Sequence, residues 1–184
     1  MNESGRQNPV QLNTPKNMKQ VVKHVPDPDE ALARAGMIAP QPILLVEGTY
    51  IYRFASSDAH FGYHAGVWWI DQEAFDQIAA RAKIAGTDLS LKARKDLAVL
   101  PKWGSKMNVC VEAKVVDRLR AWKGLAKPQQ QLSTTGRVIR MFGNAAIKQL
   151  FVCGVVDRNG MLTPKGRHSL AVTGAKVIPV STLR

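Results

Sequence analysis

Apolar residues fall along this chain in short blocks, and the spacing inside each block predicts an element. Asp27 can accept from the free N–H groups of a helix and Pro28 fits its first position, so a short helix is predicted over 28–35, stopped by Gly36. Pro42-Ile-Leu-Leu-Val46 reads as a buried strand, and Glu47-Gly-Thr49 as a turn. Residues 50–55 alternate from side to side, as the second strand of a β-hairpin would. Val67-Trp-Trp-Ile70 is a third strand. Asp71 is placed to cap a helix running to about Ala85, with Phe75, Ile78, Ala79 and Ala82 on its apolar face and Gly86 at its end. Ser90 is placed to cap another, with Leu91, Ala93, Leu97 and Leu100 near its buried side.

The second half is richer in strands. Over 107–116, Val109, Val111, Ala113 and Val115 share one face, and Asn108, Cys110, Glu112 and Lys114 the other. Leu119-Arg-Ala-Trp122 extends that strand, and 123–136 reads as a loop of Gly, Pro, Gln, Ser and Thr. Strands follow over 137–142 and 149–156. Asp157-Arg-Asn-Gly160 is a tight turn, because Asn-Gly accepts positive φ. Thr163-Pro164 opens a short helix to about Ala171, and 177–180 is a last, edge-like strand whose Pro179 cannot donate a ladder bond. The pattern gives an α+β class, a mixed sheet with short helices. Residues 25–184 have the length of a single domain, and 1–24, poor in apolar anchors, read as a disordered basic tail with Lys16, Lys19 and Lys23.

Charge sharpens this picture. Residues 1–100 hold 11 Lys and Arg against 11 acids, whereas 101–184 hold 15 against 3, so the second half carries the whole net charge of +12. A field of one sign attracts polyanions. A nucleic-acid partner is expected, DNA ahead of RNA, through Lys102, Lys106, Lys114, Arg118, Arg120, Lys123, Lys127, Arg137, Arg140, Lys148 and Arg167. Cations scattered over strands and loops suit tracking of a phosphate backbone better than base readout. No apolar run approaches a bilayer span, no secretory signal opens the chain, and Cys110 and Cys153 sit in apolar runs as buried thiols. The expectation is a cytoplasmic bacterial protein without membrane insertion. No CxxC or Cys/His cluster suggests zinc.

The familiar nucleotide and hydrolase signatures are absent; Gly143-Asn-Ala-Ala-Ile-Lys148 lacks the second glycine and the Ser/Thr of a phosphate loop. Candidate chemistry gathers in the neutral half. Glu47, Arg53, Asp58, His60 and His64 fall within 18 residues and supply a proton carrier, a cation for a developing phosphorane charge, and carboxylates for magnesium or water. Arg53 is a lone charge in a hydrophobic strand, as an edge arginine or a phosphate clamp would be. His60 and His64 have helical metal spacing, but Gly62 between them argues for a loop and against a fixed metal site. Trp68 and Trp69 must point to opposite faces; one is core and the other is either covered by a helix or a stacking surface for a base.

Two blocks then carry a resemblance. Glu47-Gly-Thr-Tyr-Ile-Tyr-Arg-Phe-Ala-Ser-Ser-Asp58, continued by Phe61-Gly-Tyr-His-Ala-Gly-Val-Trp-Trp69, and Asp96-Leu-Ala-Val-Leu with Trp103 and Leu119-Arg-Ala-Trp-Lys-Gly124, resemble plasmid fertility-inhibition factors of the oncogenic-suppression (Osa) type. The resemblance covers about residues 25–170. It implies a ParB/sulfiredoxin-like fold, DNA cleavage, ATP hydrolysis, and inhibition of conjugal or T-DNA transfer through nucleic acid or type IV secretion components. The family's Gly-x-His-Arg phosphate motif is matched only by Gly62-Tyr-His-Ala65, without its arginine. A second set, Tyr52-Arg53-Phe54, Ser133-Thr-Thr135 and Gln149, resembles the Arg, Ser-Thr-Ser and Gln/Glu stations of ADP-ribosyltransferase toxins, where the arginine would grip NAD phosphate. No glutamate follows Glu112 to complete that set. A non-enzymatic binder of DNA or of a secretion component is the third expectation.

Overall fold

The computed structural model describes residues 27–58 and 65–179. The expected tail over 1–24, His60 and His64 lie outside the described residues. Helix α1, Pro28–Gly36, starts as expected: Asp27 Oδ1 accepts from the Glu30 N–H at 2.6 Å, and Pro28 occupies the first turn. Gly36 does not stop the chain in a loop; strand β1, Met37–Leu45, follows directly and is longer than the expected 42–46.

The remaining elements are β2 (Tyr50–Ala55), β3 (Trp68–Asp71), α2 (Gln72–Ile84), α3 (Leu89–Asp96), a 3-10 turn (Pro101–Trp103), β4 (Val109–Val115), β5 (Leu119–Ala126), β6 (Gln129–Leu132), β7 (Val138–Met141), β8 (Lys148–Val152), α4 (Pro164–Ser169) and β9 (Leu170–Val177). Asp71 and Thr163 cap α2 and α4 through their side chains, as the sequence predicts. Asp88, not Ser90, precedes α3; Ser90 is buried within its first turn.

Seven strands form one sheet in the order β1-β5-β8-β3-β2-β4-β9, and β6-β7 form a separate hairpin. The α+β class holds, and every described pairing is antiparallel.

Several expected connections are corrected. β1 and β2 do not form a hairpin: β1 pairs with β5, and β2 with β3 and β4. The turn at 47–49 is tied to the end of β4 instead, by Gly48 N to Val115 O and Val115 N to Thr49 O, both 2.8 Å. Leu119–Ala126 is a strand of its own, and the expected loop over 123–136 contains the end of β5 and all of β6. β6 is polar because the two-stranded hairpin leaves both faces partly in water. The last strand ends at Val177, where it was expected to begin.

The core follows the alternation of β4, whose Val109, Val111, Ala113 and Val115 are all buried with Ile51, Trp69, Leu119, Leu150 and Val152. On the other face α2 and α3 cover Tyr52, Phe54 and Ile70 through Ala74, Ile78 and Ala93. Buried Asp96 binds these two helices together, with Lys92 Nζ at 2.9 Å and Arg81 Nε at 3.3 Å.

Leu150 is 1 % exposed at the centre of β8. Leu150→Ala is expected to cost about 2–5 kcal/mol, read as a lower denaturant midpoint at unchanged slope.

Candidate functional site: a cleft in the fork of the sheet

β3 is only four residues long and has a neighbouring strand on each side. Its second half pairs with β2, at Ile51↔Asp71 and Tyr52↔Ile70, while its first half pairs with β8, at Trp68↔Phe151 and Trp69↔Leu150. Beyond Tyr52, β2 leaves β3 and keeps only β4 as partner, through Ala55↔Val109. Below Leu150, β8 leaves β3 and keeps only β5, through Lys123↔Leu150 and Leu125↔Lys148. The sheet therefore forks on each side of β3.

Two polar residues stand at the first positions past these forks. Arg53 follows the last β2–β3 pair, and Gln149 precedes the first β8–β3 pair. Both line one cleft of about 930 Å³, with Tyr52, Phe54, Trp68 and Phe151 among its aromatic walls. One stripe of α1 (Asp29, Leu32 and Gly36) closes a side of it, and Lys127, Trp103 and Arg158 line it further out.

Arg53 lies on the face of Ile51, as alternation predicts, and its guanidinium turns into the gap between strands. Its Nη1 donates to the Trp68 carbonyl at 3.2 Å. That carbonyl points to the side β2 has vacated, so the side chain replaces a ladder donor. The Gly66 backbone runs against it: a Cβ at Gly66 would lie 2.0 Å from Nη1. Trp69 holds Gly66 in place, its Nε1 donating to the Gly66 carbonyl at 2.7 Å. Burial pulls the Arg53 pKa down to about 10, which still leaves it a cation at neutral pH. A desolvated guanidinium interacts more strongly with an anion than a solvated one.

Gln149 is 9 % exposed and lines the cleft, where its amide can donate to and accept from a bound polar group. Trp68 and Trp69 divide as expected. Trp69 is core, whereas Trp68 lines the cleft, edge-on to Phe151 at 5.2 Å between centroids and closely packed on Gly36.

The remaining expected site residues do not converge here. Glu47 is exposed in the turn before β2, and Asp58 lies past its other end, roughly 20 Å away along six extended residues. Asp58 pairs with Lys106 Nζ at 2.7 Å, and this partner lowers its pKa. Among the described residues, no three His, Cys, Asp or Glu side chains come together as metal ligands. Glu47 and Asp58 therefore do not share one site. Glu112 is not among the cleft's lining residues; it shares the face of Tyr52 in a separate pocket, where Oε1 accepts from the Thr173 hydroxyl at 2.6 Å and Oε2 from the Tyr52 hydroxyl at 3.1 Å. Ser133 and Thr135 bond to each other at 2.9 Å in the β6–β7 turn and are not part of the cleft wall.

The basic residues are dispersed. Arg120 pairs with Asp27 at 2.7 Å and Lys123 with Asp71 at 2.5 Å. Lys127 Nζ caps the end of α1 at the Arg34 carbonyl, and Arg167 Nη1 donates to the Leu162 carbonyl at 2.8 Å. Lys114 is half-buried on β4, and Arg118 and Lys148 are exposed on separate strands or turns. Lys102, Arg137 and Arg140 stand exposed near one another, because the Lys102 N–H is tied to Gln131 of β6 at 2.9 Å. Cys110 and Cys153 are free thiols, pushed up to about 11 and about 12 chiefly by burial. No described helix is long and apolar enough to cross a membrane.

No protein-family model matches this chain, and no curated protein does. Solved structures similar in backbone path include Tne2 in complex with Tni2, at 11 % identity and a TM-score of 0.41, covering 77 % of this chain and 94 % of that one. Rhs1-CT in complex with its cognate immunity protein RhsI1 is similar at 16 % identity and a TM-score of 0.46, covering 79 % of this chain and 86 % of that one. Likeness of that degree bears on backbone path alone.

Gly66→Ala must drive the Arg53 guanidinium out of the fork, and the displaced atoms are the far end of a flexible side chain. The expected outcome is a protein that still folds, with a thermal midpoint below that of the wild type because the Trp68 carbonyl loses its donor. Differential scanning fluorimetry reads both.

Proposed function

We propose that the forked cleft binds a nicotinamide-type dinucleotide and that the protein breaks its glycosidic bond, passing ADP-ribose to water or to an acceptor. This is the activity class that the Arg53 and Gln149 stations resemble. The observation that carries it is that a desolvated guanidinium, that of Arg53, and the Gln149 amide line one aromatic cleft. A phosphodiester needs a fork of N–H donors, which arginine supplies with two oxygens bound at once. A base or pyridinium ring needs an apolar face, which the half-buried Trp68 offers. A carboxamide or ribose hydroxyl needs an amide, which Gln149 offers. The cleft volume of about 930 Å³ has room for such a ligand.

In this reading Arg53 holds the pyrophosphate and Gln149 fixes the ribose and its ring. The C1′–N bond then breaks with its electron pair retained by the ring nitrogen, so nicotinamide leaves neutral and needs no proton. The cation left on the ribose is what the cleft must stabilise.

A second reading has its own observation: the net charge of +12 lies wholly in residues 101–184. Exposed Lys102, Arg137 and Arg140, with Trp103 52 % exposed beside them, offer a phosphate-tracking surface outside the cleft. DNA cleavage or ATP hydrolysis in the manner of fertility-inhibition factors belongs to this reading, and DNA, ATP and magnesium are tested beside NAD.

For the first reading, purified protein is expected to release nicotinamide from NAD. Arg53→Lys is expected to raise the NAD Kd by about tenfold or more, the scale of a lost charged hydrogen bond. Nicotinamide release at background, or undiminished binding in Arg53→Lys, contradicts it. For the second, the logarithm of DNA affinity should fall with that of salt, and Arg137→Ala with Arg140→Ala should flatten the slope by about 0.9 for each phosphate no longer neutralised. A flat response in the wild type removes it.

A further inference from the structure

We propose that the free edge of β9 takes up an acidic, extended segment of another protein as an added strand of the sheet. The sheet ends at β1 and at β9, and the two ends are built differently. At β1, the Cys153 N–H donates to the Arg120 carbonyl at 2.9 Å, which turns the Arg120 backbone toward β8. Alternation then turns Ala121 and Lys123 toward β1, where they meet Ile43 and Gln41. Pro42, between those two, stands on the outer side and has no N–H to offer there.

β9 has no such block. The Val116 N–H donates to the Ser169 carbonyl and the Ile178 N–H to the Asn108 carbonyl, both at 2.9 Å, so both ends of β9 turn toward β4. Alternation from Ile178 brings Lys176 and Gly174 toward β4, and alternation from Ser169 brings Ala171; the register shift at Thr173 joins the two runs. Leu170, Val172, Ala175 and Val177 are left with their N–H and C=O groups turned away from the sheet. Among the described residues, no strand other than β4 pairs with β9. An edge of this kind is a template for another strand.

The side chains say what that strand carries. Val172, Ala175 and Val177 pair with Ala113, Val111 and Val109, so they continue the buried face of β4, yet Val172 is 42 % and Val177 73 % exposed. The other face of the edge carries half-buried Lys114 and exposed Lys176, while Glu112 is engaged by the Thr173 and Tyr52 hydroxyls. A strand alternating apolar and acidic residues matches both faces at once. Charge selects against a second copy as the occupant: β9 belongs to the half of the chain that carries the net +12, and self-pairing would bring two such halves together. β9 does not line the cleft, so this surface is separate from it.

The test uses a fluorescein-labelled peptide of alternating valine and glutamate, with two controls of equal length: alternating valine and lysine, and the same valines and glutamates in two blocks. Anisotropy reads affinity, and NMR hydrogen exchange on the full chain reads single amides. In the free protein the Val172, Ala175 and Val177 amides are expected to exchange about tenfold or more faster than those of Ala171 and Lys176. The alternating acidic peptide should slow them by about tenfold or more, and both controls should bind about tenfold more weakly. Ala175→Pro removes an outward donor and should weaken binding about fivefold. Lys176→Glu leaves the backbone intact and should weaken it about fivefold as well. Outward amides already protected in the free chain, or a dimer in sedimentation equilibrium, would show the edge covered by this chain or its copy and overturn the proposal. So would equal binding of the block peptide, binding that leaves the three amides unprotected, or undiminished binding in Lys176→Glu.

Discussion

Four residues, Trp68–Asp71, join the two halves of the seven-stranded sheet, and they cannot serve both neighbours along their full length. Each half takes two pairings and then leaves. A backbone that parts from its partner exposes carbonyl and N–H groups that must be satisfied elsewhere. Arg53 answers that demand at Trp68, and the opening so created is lined by charge, amide and aromatic faces together. The site is thus a consequence of strand pairing rather than of a loop added to a finished fold.

The same constraint explains the residues around it. Gly66 is small because the guanidinium occupies the space a side chain would need, and Gly36 because the Trp68 ring does. Bringing a cation into so enclosed a place is costly in an apolar setting. The Trp68 carbonyl offsets part of that cost by accepting from Arg53 Nη1.

Much of the local structure was legible in the sequence. Asp27, Asp71 and Thr163 are caps because their oxygens stand two or three residues ahead of free N–H groups, and β4 alternates because one of its faces is buried. Arg53 drew attention as a charge in an apolar strand. Pairing order was not legible, because it depends on contacts between distant segments: the turn at 47–49 looks like a hairpin until Val115 is seen to hold it. Gln149 carried no local signal beyond its place in the second resemblance, since a lone glutamine in an apolar strand has no spacing to reveal it. The charge count predicted a polyanion surface, yet Arg120 and Lys123 are engaged by acids of the neutral half, Asp27 and Asp71, and Lys106 by Asp58.

The central claim is that the fork between β2, β3 and β8 is where a dinucleotide sits. A crystal structure with a non-hydrolysable NAD analogue tests it most directly. The account predicts the pyrophosphate within hydrogen-bond distance of the Arg53 guanidinium and the ribose or carboxamide on the Gln149 amide. An analogue found on the β6–β7 surface, or absent from the fork at saturating concentration, would contradict it.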